Sequence, residues 1–535
     1  MKFFYLLFII FVLSGCVVIK EMIPQKPTAA ISPFDINPVP KEEFLSEDKI
    51  GCEYFYVKGF EEEHTPPMTK PTKNLEDFLM ETQGVVDLNR SGVVRFFNKE
   101  KKAKTILVMA TGIYAATGTV ANLARGIVRR NRDIEVWVWE RRANQLEDRR
   151  LLLKAKKEKN TAILVDLLNP KSLKVRKGAF YQPSTQDISF VGFWGVNVQL
   201  EDLYNVVKEA RKNADEIILS GYSLGVLYAT NFLGNDFDPA PDKVLAGYSL
   251  VDKVILFDGP PMVEGYIETE ALYKNGITII PNNFIDGKDR LESQKFYPSN
   301  GTGDRDMRTF FEMDLKGFLA YIDPKGISPE PYKVGMKTYP ITNMARYFTE
   351  LDENYAFFKL FTATLGISDA KHSGKYSYYD TMTIKGLGEG KDKIDWIYSD
   401  KKIEFTNPEE YINASVHDFF NMAEWYQPTR ILLDFGSIHH NDTSTGWQSK
   451  YFNITQTKNI NIPILAIGLS RGLSSRNDIY LNYQKLTSAK DFNIIMINSL
   501  THLDGDTMSD LGGYRQFISD VAVNWISGKN ILIEK

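Results

Sequence analysis

Apolar and polar positions alternate in a regular way along the chain after residue 48. Short runs rich in β-branched and aromatic residues are separated by longer, helix-like stretches. This pattern is typical of an α/β protein with a mostly parallel sheet flanked by helices, because strands buried on both faces form continuous apolar runs. The eight runs that predict strands lie at residues 53–60, 93–98, 105–110, 134–139, 216–220, 253–257, 462–467 and 492–497.

The sixth and seventh of these runs are about two hundred residues apart. The stretch between them contains helix-like segments and many aromatic residues, so we expect an inserted cap that roofs a pocket for an apolar acyl or aryl group. The predicted division of the folded body is therefore a core at residues 49–260 and 459–535, with the cap at residues 261–458.

The N-terminus carries an apolar run, residues 3–13, that is too short to span a bilayer as a helix. The run ends in Leu13-Ser14-Gly15-Cys16, which resembles the end of a bacterial lipoprotein signal peptide. The resemblance implies removal of residues 1–15, lipid modification of Cys16 and a lipid anchor. A plain signal peptide or a signal anchor is the alternative. The polar, proline-containing residues 16–48 predict a tether.

Composition narrows the possible partners. The chain has 64 Lys and Arg against 68 Asp and Glu, a net charge of −4, and no basic stripe, so no nucleic-acid partner is expected. Lipidation of Cys16 would leave the second of the two cysteines, Cys52, without a disulfide partner. This count agrees with the lipoprotein resemblance, which implies an exported protein held at a bacterial membrane. Val17, the residue after Cys16, offers no recognisable signal for retention in the inner membrane, which favours the outer membrane or cell surface.

The segment Gly221-Tyr222-Ser223-Leu224-Gly225 carries the candidate chemistry. A serine hydroxyl needs a base to take its proton, and a sharp turn between a strand and a helix exposes the serine to such a base. Here the apolar run 217–219 precedes the pentapeptide and an apolar helix is predicted at residues 225–233. This context predicts Ser223 as a nucleophile. A glycine-rich turn with an idle serine is the alternative.

These features resemble the α/β-hydrolase family over residues 53–526. The resemblance implies a triad in the order serine, acid, histidine, with the histidine in the loop after the last strand. His502 occupies that place and is the expected general base. His64 lies in the N-terminal part, and the remaining histidines lie within the predicted cap, which makes them weaker candidates; these are His372, His417, His439 and His440.

The acid of the triad is expected at Asp478, the carboxylate in the loop after the seventh predicted strand. The family usually places its acid there, but within a few residues of the strand end, and Asp478 lies farther along. Asp258 is the alternative, because it ends the sixth predicted strand, a position that some lipases of the family use. A role as a turn residue is also open for Asp258.

An oxyanion formed during acyl transfer needs two backbone donors. The Leu224 N–H, at the start of the helix, is expected to supply one. The resemblance implies that the second follows the third strand, where Gly112 permits a close approach and Ile113 N–H is the expected donor. This chain has Thr111 where the family often has His, and Glu140-Arg141-Arg142-Ala143-Asn144 where an Asp-x-Arg-Gly turn is common.

The sequence therefore predicts a membrane-anchored serine hydrolase that cleaves a small-molecule or lipid ester through an acyl-serine intermediate. Acyltransferase, amidase and peptidase activities use the same triad, and a non-catalytic surface-binding lipoprotein on a hydrolase scaffold is a further alternative. This triad chemistry requires no metal or organic cofactor. His439 and His440 with Asp442 could suggest a metal site, but adjacent side chains point apart and no spaced third ligand is evident. The sequence defines no oligomeric state.

Overall fold

The structure, a computed structural model, describes residues 30–169, 180–238, 240, 243–280, 283–295, 298, 306–334, 337–353, 355–356, 362–365, 367–368, 371–372, 384–385, 393–397 and 405–534. The predicted signal peptide, the lipidation site Cys16 and the first part of the predicted tether lie outside the described residues. No helix within the described ranges is long and apolar enough to cross a membrane.

One eight-stranded sheet organises the molecule, and its strands are those that the sequence predicts, with bounds within four residues of the expected ones. Their order in the sheet is β1-β2-β4-β3-β5-β6-β7-β8. The pairs β1/β2 and β2/β4 are antiparallel and all other pairs are parallel. The strands are β1 (Ile50–Lys58), β2 (Arg90–Asn98), β3 (Thr105–Ala110), β4 (Ile134–Glu140), β5 (Glu216–Tyr222), β6 (Lys253–Phe257), β7 (Ile464–Arg471) and β8 (Phe492–Thr501).

Helices cover both faces of this sheet, and strand β3 explains why. All six of its residues are buried. Successive side chains of a strand point to opposite faces, so Ile106 and Val108 pack with one layer of helices while Leu107 and Met109 pack with the other. The helices are α1 (Lys73–Gln83), α2 (Thr117–Arg130), α3 (Arg150–Glu158), α4 (Thr161–Leu168), α5 (Thr185–Ile188), α6 (Val196–Arg211), α7 (Leu224–Gly234), α8 (Glu270–Asn275), α9 (Lys288–Leu291), α10 (Asp306–Ile322), α11 (Asn343–Leu351), α12 (Pro408–Ser415), α13 (Arg430–Ser437), α14 (Asn477–Leu486), α15 (Asp504–Thr507) and α16 (Phe517–Ile526).

Helices α6 and α7 lie on one face of the sheet, and helices α2 and α16 lie on the other. This mostly parallel sheet, with helices on both sides and a helix following β5 through a tight turn, is the α/β-hydrolase fold. The expected fold class is confirmed.

In its described residues, the chain between β6 and β7 contains helices α8 to α13 and four short two-stranded sheets. Many of its apolar side chains, such as Phe311 and Trp425, share a core cluster with core residues such as Leu75 and Leu152. The inserted stretch is thus packed against the core through a common apolar interior. The bounds 261–458 of the cap stay a prediction.

The described part of the predicted tether packs against the core. Ile36, Val39 and Leu45 are buried in the same cluster as the sheet, and the Ile31 N–H donates to Met496 O at 2.8 Å. Residues 30–48 therefore belong to the folded body, and residues 16–29 of the predicted tether lie outside the described residues.

Candidate active site

Ser223 lies on the turn between β5 and α7. Its backbone has φ 57° and ψ −120°, a conformation that a residue with a side chain adopts only where its surroundings impose it. A Cβ at Gly221 would collide with Gly225 O, and one at Gly225 would collide with Ala110 O. Both glycines are therefore required by close backbone approach, and they permit the strained serine turn that the Gly-x-Ser-x-Gly motif predicts.

His502 lies at the carboxyl end of β8 in a loop that contacts this turn. The hydroxyl of Tyr222, the residue before Ser223, donates to His502 O. The centroids of the Tyr222 and His502 rings are 5.3 Å apart. His502 and Ser223 are 1% and 4% exposed. Strand order thus brings the predicted base and the predicted nucleophile to the same edge of the sheet.

The carboxylate that contacts His502 belongs to Asp258, at the end of β6. His502 Nδ1 and Asp258 Oδ2 are 2.7 Å apart. The Asp258 carboxylate also accepts hydrogen bonds from three N–H groups, that of Leu469 near the end of β7 and those of Leu473 and Ser474 in the loop after it, at 3.0–3.1 Å. Three backbone donors therefore hold this carboxylate against the imidazole.

Asp478 does not contact His502 through any hydrogen bond of the described residues, which corrects our first choice of acid. It lies in the first turn of α14, and its side chain is 41% exposed. Its carboxylate pairs with Arg476, and this hydrogen bond lowers the pKa of Asp478. The loop after β7 thus contributes backbone donors to Asp258 where the family usually places the acid itself. The strand-ending position that favoured Asp258 as the alternative was the better signal.

Two more buried carboxyl groups follow His502 in helix α15. Asp504 accepts hydrogen bonds from Thr501 and Thr364. Burial raises the pKa of Asp504, and it raises the pKa of Asp506 strongly, with the charges of Asp504 and Asp258 adding to the effect at Asp506. A raised pKa favours the protonated form of Asp506, which limits the negative charge close to Asp258.

The loop after β3, residues 111–115, lies beside the nucleophile. A Cβ placed on Gly112 would be 3.3 Å from Ser223 Oγ, so the backbone here is close to the reacting oxygen. No hydrogen bond between described residues uses the N–H of Ile113 or of Leu224. The assignment of these two groups as oxyanion donors stays a prediction.

Side chains that the sequence analysis did not assign hold this loop in place. Arg141 is buried and donates to the carbonyls of Thr111 and Gly112, and the Gln427 side chain accepts from the Tyr114 N–H. The replacement of the familiar turn after β4 by Glu140-Arg141-Arg142 was the available signal. Gln427 lies in the inserted stretch, and no sequence motif marks it.

The remaining histidines lie elsewhere. His439 Nε2 is 3.2 Å from Ile267 O, and His64 stacks on Phe193. Among the described residues there is no group of three His, Cys, Asp or Glu side chains that could hold a metal ion.

Neither a protein-family model nor a curated protein matches the chain. Several solved structures are similar in fold. A candidate lipase from Sulfolobus solfataricus is 13% identical and matches 91% of this chain and 96% of its own, with a TM-score of 0.46. The monoacylglycerol lipase of Paleococcus ferrophilus is 10% identical, with 82% and 98% covered and a TM-score of 0.30. The peroxisomal α/β-hydrolase Lpx1 of Saccharomyces cerevisiae is 10% identical, with 85% of each chain covered and a TM-score of 0.33.

At these identities and TM-scores, the similarities add nothing about activity. The fold assignment rests on the strand order and the serine turn described above.

Proposed function

We propose that this protein is a serine hydrolase that cleaves an acyl ester through an acyl-serine intermediate. The observation that carries the proposal is the 2.7 Å contact between His502 Nδ1 and Asp258 Oδ2, in a loop that is hydrogen-bonded to the residue before Ser223. A buried carboxylate on Nδ1 leaves Nε2 as the nitrogen that accepts a proton. We assign Ser223 as nucleophile, His502 as base and Asp258 as the acid that orients it.

In the first half of the reaction, Ser223 Oγ attacks the ester carbonyl carbon while His502 Nε2 takes the hydroxyl proton. Asp258 stabilises the imidazolium that forms. The negative charge that develops on the carbonyl oxygen is stabilised by the N–H groups of Leu224 and Ile113, and the start of helix α7 contributes a favourable dipole. The carbon–oxygen bond of the ester then breaks, and the leaving alcohol takes the proton from His502.

In the second half, a water molecule attacks the acyl carbon and gives its proton to His502 Nε2. The bond to Ser223 Oγ breaks, the serine recovers its proton, and the carboxylic acid leaves. The chain's own groups perform each of these steps.

A fluorophosphonate probe tests the nucleophile directly, because it reacts with an activated serine without requiring the natural substrate. We expect the folded wild type to be labelled and to hydrolyse a short p-nitrophenyl ester, and Ser223→Ala to do neither. Unlabelled wild type, or a Ser223→Ala variant labelled as well as wild type, would remove the proposal. A panel of esters of graded acyl length then defines the substrate.

We further propose that the enzyme is exported and held at a bacterial membrane through lipidated Cys16, at the outer membrane or cell surface. The support is the segment Leu13-Ser14-Gly15-Cys16 after a short apolar run. Metabolic labelling with a fatty acid is expected to mark the wild type and not Cys16→Ser. Equal labelling of the two proteins would contradict the anchor.

A further inference from the structure

The oxyanion loop, residues 111–115, is tied to one guanidinium group. Arg141 donates to Thr111 O at 3.2 Å, to Gly112 O at 3.0 Å and to Ala115 O at 2.9 Å. In a trans peptide the C=O and the following N–H point in opposite directions. The bond from Arg141 to Gly112 O therefore aims the Ile113 N–H away from Arg141. The same contact fixes the orientation of the donor that the reaction requires.

Arg141 is itself oriented by a carboxylate from the inserted stretch. Its Nε donates to Glu424 Oε2 at 2.8 Å, and both side chains are at most 1% exposed. A planar guanidinium presents its donors in a rigid fork, so fixing one edge of the fork fixes the direction of the others. Glu424 thus determines where Arg141 presents its donors to the oxyanion loop.

The inserted stretch also contacts the oxyanion loop directly at Tyr114, which has a positive φ of 51°. The Tyr114 N–H donates to Gln427 Oε1 at 2.6 Å, and the Glu424 N–H donates to Tyr114 O at 2.9 Å. Gln427 and Glu424 therefore bind both the N–H and the C=O of Tyr114, the residue that follows Ile113. Such external hydrogen bonds stabilise a strained backbone conformation.

We propose that Glu424 and Gln427 are positioning residues: through Arg141 and Tyr114 they hold the oxyanion loop so that the Ile113 N–H points at the oxygen that becomes negative. They act on the loop and do not touch the substrate. The inference rests on the proposed function, and it adds that the inserted stretch contributes to catalysis.

A purely structural role for these contacts is the rival explanation, and the chain offers a matched control. Arg142, the next residue, forms an equally buried pair with Asp202, with Nε to Oδ2 at 2.7 Å. Its guanidinium binds Phe60 O and Asn89, away from the oxyanion loop. Neutralising Asp202 removes the same kind of interaction without affecting the loop.

The experiment compares Glu424→Gln, Gln427→Met and Asp202→Asn with the wild type on a short p-nitrophenyl ester. Each variant is also measured for thermal stability and for amide hydrogen exchange over residues 111–115. We expect Glu424→Gln and Gln427→Met to lower kcat roughly ten- to hundredfold with little change in KM, because the lost alignment affects the transition state more than the bound ester. Exchange over the loop should be faster in both.

The control should lose thermal stability and keep kcat within about threefold of the wild type, which separates folding from positioning. If Glu424→Gln does not fold, the kcat and loop exchange of Gln427→Met test the inference on their own. Folded variants with unchanged kcat overturn the inference, and so does an Asp202→Asn variant that loses as much kcat as they do. An unreactive wild type would instead overturn the proposed function, so the two failures are distinguishable.

Discussion

The two sides of Ser223 are built differently. On the base side, Asp258 and His502 come from the ends of β6 and β8, and the end of β7 and the loop after it hold Asp258 through three backbone N–H groups. On the oxyanion side, the loop 111–115 is held by Arg141 and by residues of the inserted stretch, Glu424 and Gln427.

This difference separates two requirements of the same site. Groups at the ends of neighbouring parallel strands meet because the sheet forms, so the base side needs little beyond the core fold. The oxyanion loop needs side chains from about three hundred residues farther along the chain. Among the described residues, the insertion reaches the base side through Thr364, which donates to Asp504, and through Thr362 O, which accepts from the Leu503 N–H.

Asp258→Asn is expected to give the largest effect and tests the base side. An amide in place of the carboxylate would favour the wrong tautomer of His502 and could not stabilise its cation, so kcat should fall by about 10⁴-fold. The measurement is kcat on a short p-nitrophenyl ester.

Asp478→Asn is the matched control for that prediction, because its carboxylate is exposed and paired with Arg476. We expect it to retain kcat within about twofold, as surface substitutions usually have small effects. A large loss in Asp478→Asn together with a fully active Asp258→Asn would reverse the assignment of the acid.

The sheet could be predicted from the sequence because a strand buried on both faces forms a continuous apolar run within a few consecutive residues. The run Thr105–Ala110 is apolar because it is covered on both faces. Ser223 and its glycines were equally predictable, since the close approach of Gly221 to Gly225 is a property of five consecutive residues. His502 followed from its place after the last strand.

The acid and the supports of the oxyanion loop depend on distances that the sequence does not contain. Asp258 and Asp478 both follow strands, and only the position of His502 decides between them. Arg141 resembles one charge among many in a polar stretch, whereas the fold buries it. Glu424 has no motif, because its role arises from a contact across 283 positions of the chain.

Arg141→Lys tests the oxyanion side of the comparison and should have the second largest effect. Lysine keeps the charge opposite Glu424 but cannot reach three carbonyls with a rigid fork. We expect kcat to fall on the order of a hundredfold, the loss typical of a removed oxyanion donor, with KM nearly unchanged. Arg142→Lys is the control, and an equal loss of kcat there would show that the effect is not specific to the loop.

Thr364→Val tests the indirect contact of the insertion with the base side. The substitution removes the hydroxyl that donates to Asp504 and accepts from the Phe405 N–H. We expect a loss of about 1–3 kcal/mol in the free energy of unfolding, because buried polar groups lose partners. The kcat value should stay within about threefold, since Thr501 still donates to Asp504.

Thr349→Val, which removes a hydroxyl hydrogen bond within helix α11, is the control for stability. A tenfold or larger loss of kcat in Thr364→Val alone would break the comparison, since the base side would then depend on the insertion as strongly as the oxyanion side does.

The smallest expected effect is a pH dependence of stability at Asp314, on the oxyanion side. Burial raises the pKa of Asp314 to about 6, and its carboxylate accepts from Met422 N and Trp425 Nε1, on either side of Glu424. A folded-state pKa above the unfolded value of 3.8 means that Asp314 contributes stability below about pH 4 and loses that contribution as the pH rises through about 6.

The difference in Tm between wild type and Asp314→Asn isolates this contribution, because the asparagine does not titrate. The wild type should lose Tm relative to the variant between pH 4 and pH 7, by a few degrees or less in a chain of this size. Hydrogen exchange over residues 421–427 should rise in the wild type over the same pH range. If the Tm difference is the same at both pH values, Asp314 does not titrate in this range.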